Sequence, residues 1–271
     1  MSIYINDRKI GDGETGGIYN GSTKIGMISK GSQILYMVKK SETITPTGEL
    51  YTYVVPKYAH KLHIDCVASK GANGSASGGN GGRVECDLAV TPGQILYITT
   101  GKIPSSYSSA SYNASDIRIG GTEYANRVIV AGGGGSGASA NGPGAGGAGG
   151  GTTGGSGATN RCCGGGSGGS QTGGGAGGVG IAWTTQQTRN GSDGVLGMGG
   201  APGSHSGVGG AGGAGYYGGG GGAGGYTKSY GTYGGGGAGG SSYTDDNLCT
   251  NVVHTQGYQN GEGYVSLTVI G

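Results

Sequence analysis

The sequence predicts a mainly β protein: a β-sandwich with an inserted bundle of polyglycine II helices, a small N-terminal β-meander and almost no α-helix. Three observations predict it. Glycine supplies 74 of the 271 residues, several times the usual ~7%, and 52 of those glycines fall between 132 and 240. Short stretches of alternating apolar and polar residues lie on both sides of that region. No stretch of eleven or more residues carries helical periodicity.

Residues 1–40 read as a separate module. The run Ile-Tyr-Asn-Gly-Ser-Thr-Lys-Ile at 18–25 is echoed ten residues later by Ile-Ser-Lys-Gly-Ser-Gln-Ile at 28–34, and 3–10 is a looser copy. Alternation around Asn-Gly or Lys-Gly predicts consecutive β-hairpins. So few residues bury little surface by themselves, so the module is expected to pack on a partner chain or on its own copies. Residues 41–44 are expected to be a linker, and 45–271 the main domain.

In that domain 62–68 and 83–90 alternate as half-buried strands. Val84, Cys86, Leu88 and Val90 lie on one face of the second. A Thr-Pro-Gly-Gln turn leads into 95–99. Residues 128–130 form a short buried-type run, and 263–270 close the chain as a last strand. Both ends of the glycine-rich insertion are therefore anchored in β structure.

The insertion, about 132–240, carries its glycines in blocks at 132–137, 144–151, 164–169, 173–180, 207–215, 218–225 and 234–240. A strict Gly-X-Y register with proline is absent, which excludes collagen. Blocks of six to nine residues would span roughly 19–28 Å as three-residue-per-turn helices, whose amides all point outward to neighbours.

Several function classes fall away. A net charge of +2 without a basic run gives no footprint for nucleic acid. No run of 18 apolar residues offers a membrane span. The N-terminus lacks an apolar signal-peptide core, so it is expected to be the native start of a chain made in a cytoplasm and not exported by the usual route. Cys66, Cys86, Cys162, Cys163 and Cys249 form an odd set without zinc-type spacing and imply no disulfide framework; vicinal Cys162 and Cys163 are expected to be free thiols rather than a redox pair. His60 and His63 suggest no metal site. The strand at 128–130 is followed by a G-x-G-x-x-G match, but no helix can follow it to hold a pyrophosphate. Neither a nucleophile elbow nor a placed carboxylate pair is present. The expectation is no enzyme, no cofactor and no metal. The Asn-x-Ser triplets at Asn20, Asn73, Asn113 and Asn190 are read without glycans, the three Asn-Gly cases as turn chemistry.

The separators between glycine blocks carry the recognition chemistry. Trp183 and Arg189 lie in 181–190, and Tyr226, Tyr230 and Tyr233 lie in 226–233. Rigid aromatics flanked by small polar residues suit adaptable binding loops. They suit equally well the capping of a bundle short of apolar surface, and the sequence leaves both open.

Two resemblances follow from these residues. The order of strands and glycine blocks over about 45–270, with Val-Ile-Val-Ala-Gly-Gly-Gly-Gly at 128–135 and Gly-Glu-Gly-Tyr-Val-Ser-Leu at 261–267, resembles the glycine-rich domain of anaplastic lymphoma kinase and leukocyte tyrosine kinase ectodomains. That family threads polyglycine helices through a β-sandwich and binds protein ligands. Residues 1–271 show no match to that family's signal peptide, membrane span, kinase or most of its cysteines, so receptor signalling is not expected to carry over. The glycine blocks also resemble those of phage tail-fibre adhesins, and 18–25 is similar to short β modules of phage structural proteins. The second resemblance implies a virion location, attachment to other virion structural proteins through 1–40, and a host-surface glycan or protein receptor at the inter-block loops. Homo-oligomerisation is the other partnership that the small module allows. A purely structural decoration or fibre protein, and a bacterial surface binding protein with a kinase-ectodomain-like domain, are the alternatives.

Overall fold

The computed structural model describes residues 39–47, 49–109, 112–181, 186–227 and 231–271, with the short strands at the N-terminus. Those strands pair as three antiparallel hairpins: Ile3–Ile5 with Arg8–Ile10, Tyr19–Asn20 with Thr23–Lys24, and Met27–Lys30 with Gln33–Met37. They fall on the repeats at 3–10, 18–25 and 28–34.

Ten strands build two sheets: β1 (Ser41–Ile44), β2 (Tyr51–Val54), β3 (Lys61–Val67), β4 (Gly81–Ala89), β5 (Ile95–Thr99), β6 (Ser115–Ile119), β7 (Arg127–Ala131), β8 (Tyr243–Thr244), β9 (Cys249–Gln259) and β10 (Tyr264–Val269). One sheet runs β9-β4-β3-β10-β1 and the other β8-β7-β6-β5-β2. Among the described residues the only helical turn is a 3-10 turn at Tyr124–Asn126. The fold is mainly β.

Alternation sends one face of each sheet into a shared core. Leu62, Ile64 and Cys66 meet Leu88, Cys86 and Val84 on one side and Val269, Leu267 and Val265 on the other. Leu96, Ile98, Ile117 and Ile129 close the core from the second sheet, all fully buried. The stretch 41–44, expected as a linker, is instead the edge strand β1. Ile44 points inward, and the Ser41 and Thr43 hydroxyls bond Thr268 and Ser266 across the pair at 2.9 and 3.2 Å. Burial of one apolar residue and matched hydroxyls outweigh the polar look of Ser-Glu-Thr.

The glycine-rich region leaves β7 and returns through β8. Its extended segments bond laterally in a repeating order. Gly235, Gly236 and Gly237 donate to Ala223, Ala158 and Ser136 at 2.8, 2.9 and 2.9 Å. Three residues on, Ala238, Gly239 and Gly240 return to the same three segments at Gly220, Gly155 and Gly133. The carbonyls of 234–240 accept from three further segments, 144–150, 166–169 and 210–213. One segment thus has six neighbours, and its bonds rotate among them with a three-residue period. Segment 218–223 repeats the arrangement, donating to 192–195, 210–213 and 164–167 and accepting from 175–178, 200–203 and 235–238.

The lattice needs glycine because backbones touch on every side. A Cβ built on Gly235, Gly236 or Gly237 would fall on the carbonyl of Gly164, Ala145 or Ala211. Non-glycine residues sit where the lattice leaves room. Ala145, Ala176 and Val179 face solvent, while Ala211 and Ala214 are buried against the sandwich side. The β3–β4 connection joins in as well, with Gly79 donating to Gly135 and Gly137 to Ala72.

Candidate functional site

The hydrogen-bond registers fix the direction of every glycine segment. Segment 132–138 leaves the sandwich, 144–150 returns, and the alternation continues through 154–158, 164–169, 174–180, 191–194, 199–203, 209–214, 218–223 and 235–240. The connections at the sandwich end are the short turns 151–153, 170–173, 195–198 and 215–217. Those at the far end are 139–143, 159–163, 181–190, 204–208 and 224–234. The described parts of the two longest separators, with Arg189, Tyr226 and Tyr233, therefore emerge at one end.

There they pair. Gln186–Arg189 runs antiparallel to Gly224–Thr227, which forms a hairpin with Gly231–Gly234. Tyr233–Gly234 also pairs in parallel with Gly142–Pro143. Gln187 lies opposite Tyr226, and Tyr226 opposite Thr232. The neighbouring loops are tied to this sheet: Asn141 N–H donates to Thr232 Oγ1 at 3.1 Å, Ile181 N–H to the Cys162 carbonyl at 2.7 Å, and Gly180 N–H to Asn190 Oδ1 at 2.9 Å.

The predicted residues divide. Arg189 is exposed and Tyr226 half-buried, on adjacent strands of the far-end sheet. Tyr233 is buried, packed with Cys162, Cys163 and Ala223, and its ring lies 5.5 Å from the Arg161 guanidinium. It occupies the capping position that its sequence also suited. Trp183 and Tyr230 lie outside the described residues. Sequence reading missed Val179 and Ile181, which are 62% and 48% exposed just before the Trp183 loop. The Gly-Gly-Ala-Gly-Gly-Val run at 174–179 was the signal, since every third position faces outward there.

The five cysteines are free and buried. Burial pushes the Cys66 thiol well up, and burial with the Cys162 hydrogen bond raises Cys163. The Cys162 and Cys163 sulfurs are 3.5 Å apart. Raised thiols are poor nucleophiles. Among the described residues no three His, Cys, Asp or Glu side chains gather as a metal site, and no helix is long and apolar enough to cross a membrane. No protein-family model and no curated protein matches this chain.

Proposed function

We propose that the chain is a non-enzymatic virion component of the tail-fibre or fibre-tip adhesin type. In this reading residues 1–40 attach it to other virion structural proteins, and the far-end loops contact a host-surface glycan or protein receptor. The observation that supports it is the asymmetry of the glycine lattice: short turns at the sandwich, long aromatic-bearing loops at the opposite end. Loops on a scaffold held by backbone bonds can change sequence without disturbing it, which is how binding sites sit on rigid frames. We read the glycine segments as polyglycine II helices, a reading supported by the three-residue rotation of their hydrogen bonds.

The test is adsorption of particles carrying Trp183→Ala, Tyr230→Ala or Arg189→Ala, with thermal stability measured separately. Lost adsorption at unchanged stability is expected, because aromatic and arginine anchors dominate binding energy. Unchanged adsorption for all three would overturn the receptor role. A chain lacking 1–40 is expected to fold but not to enter particles, and full occupancy without the module would overturn the attachment role.

A further inference from the structure

A cleft lies at the sandwich end, away from the far-end loops. The outer face of β5, β6 and β7 forms this cleft of about 250 Å³. Its floor is charged and buried: Asp116, Arg118 and Arg127 are 4%, 9% and 4% exposed. Asp116 is spent on Arg118, which it binds through two N–H groups at 2.6 and 3.0 Å.

Arg127 has no such partner. Its guanidinium donates to the carbonyls of Tyr124, Gly215 and Tyr216 at 3.1, 2.8 and 3.0 Å, and lies 4.7 and 5.1 Å from the centres of the Tyr124 and Tyr216 rings. Among the described residues no carboxylate lies within ion-pair distance of it. Burial lowers its pKa, with Asp116 opposing that and Arg118 adding to it. Each guanidinium has five N–H groups, of which the described residues take up three on Arg127 and three on Arg118. Lys102 and Glu49 also line the cleft, so its charged side chains leave one positive charge over. Tyr112 forms part of the wall and is 68% exposed.

The geometry points to a binding site for an acidic sugar, its carboxylate on the Arg127 and Arg118 side of the cleft and its ring against Tyr112. A buried cation without a counter-ion is costly, and an entering carboxylate supplies one. The two N–H groups left over on each of Arg127 and Arg118 can donate to the oxygens of a carboxylate. An aromatic wall with a few convergent polar groups suits a small ligand with one apolar face. The site shares no residue with the far-end loops, so either can fail without the other.

The experiment titrates the full chain with methyl glucuronide and follows backbone amide shifts, with methyl glucoside and inorganic phosphate as comparisons at equal ionic strength. Saturable binding of the glucuronide is expected, at least tenfold tighter than the glucoside. Lys102→Ala and Tyr112→Ala, on the accessible rim, are expected to weaken it severalfold without changing the melting temperature. Arg127→Lys, which keeps the charge but loses the guanidinium N–H groups, is expected to weaken it at least tenfold. Absence of saturable glucuronide binding, or equal binding of the glucoside, would overturn the proposal. Phosphate binding as tightly as the glucuronide, with Tyr112→Ala without effect, would overturn the sugar assignment.

Discussion

The side-chain oxygen of Asn113 accepts the backbone N–H of Ala214 at 3.0 Å, a place that a glycine segment's carbonyl holds elsewhere in the lattice. Its amide nitrogen donates to the Gly134 carbonyl at 2.8 Å, and the residue is fully buried. One side chain of the sandwich thus completes the bonding of two glycine segments. Asn113→Ala is predicted to leave a buried N–H and a buried C=O unpaired, at about 1–3 kcal/mol each. Chemical denaturation checks it. The burial also places Asn113 out of reach of glycosylation in the folded protein.

Gly221 faces the backbone of segment 199–203, and a Cβ there would fall on the Ala201 carbonyl. Gly221→Val is predicted to destabilise by more than the ~1–3 kcal/mol usual for overpacking, because the obstacle is backbone. Ala176 is exposed on an outer segment, and Ala176→Val should stay within ~0.5 kcal/mol. Comparing the two melting temperatures separates a packed lattice from a loose coil.

Tyr233→Ala is predicted to cost about 3 kcal/mol, as removal of a buried aromatic does. Tyr226→Ala, at a half-buried position, should cost far less while altering adsorption. Equal destabilisation by both would make the whole far-end sheet a structural cap.

His254 gives a pH dependence. Burial lowers its pKa, against a smaller raising effect of Asp246, and its Nδ1 is buried without a hydrogen-bond partner. The folded state therefore binds a proton less readily than the unfolded chain, whose histidines titrate near ~6.5. The stability that follows is fully present above that value and is lost as the pH falls through the lowered folded pKa. His254→Gln should flatten the fall in melting temperature between about pH 7 and pH 5, measured by calorimetry.

Much of the fold was legible because the strands alternate. The expected strands at 62–68, 83–90, 128–130 and 263–270 each fall within a residue or two of β3, β4, β7 and β10, and 95–99 is β5. The strand β6 escaped notice since its outer face carries the charged pair Asp116 and Arg118, buried against each other in a two-point ion pair. Few apolar residues mark β9, an edge strand bent by register shifts opposite β4. Seven glycine blocks were readable, but segments 154–158, 191–194 and 199–203 were not, since serine, aspartate, alanine and proline interrupt these short stretches. At the far end the sequence supplied the loops, and only the alternating direction of the segments brings them together.

The three-residue rotation of bonds within 132–240 is the central claim, and residue-resolved amide exchange tests it most directly. The amides of 235–240 are all bonded to neighbouring segments and should exchange slowly. In 144–150, Gly144, Gly146, Gly147, Gly149 and Gly150 are bonded, whereas Ala145 and Ala148 have no backbone acceptor among the described residues. The predicted result is slow exchange at the five glycines, broken by fast exchange at Ala145 and Ala148. Uniformly fast exchange across 132–240, as in a free glycine-rich linker, would contradict it.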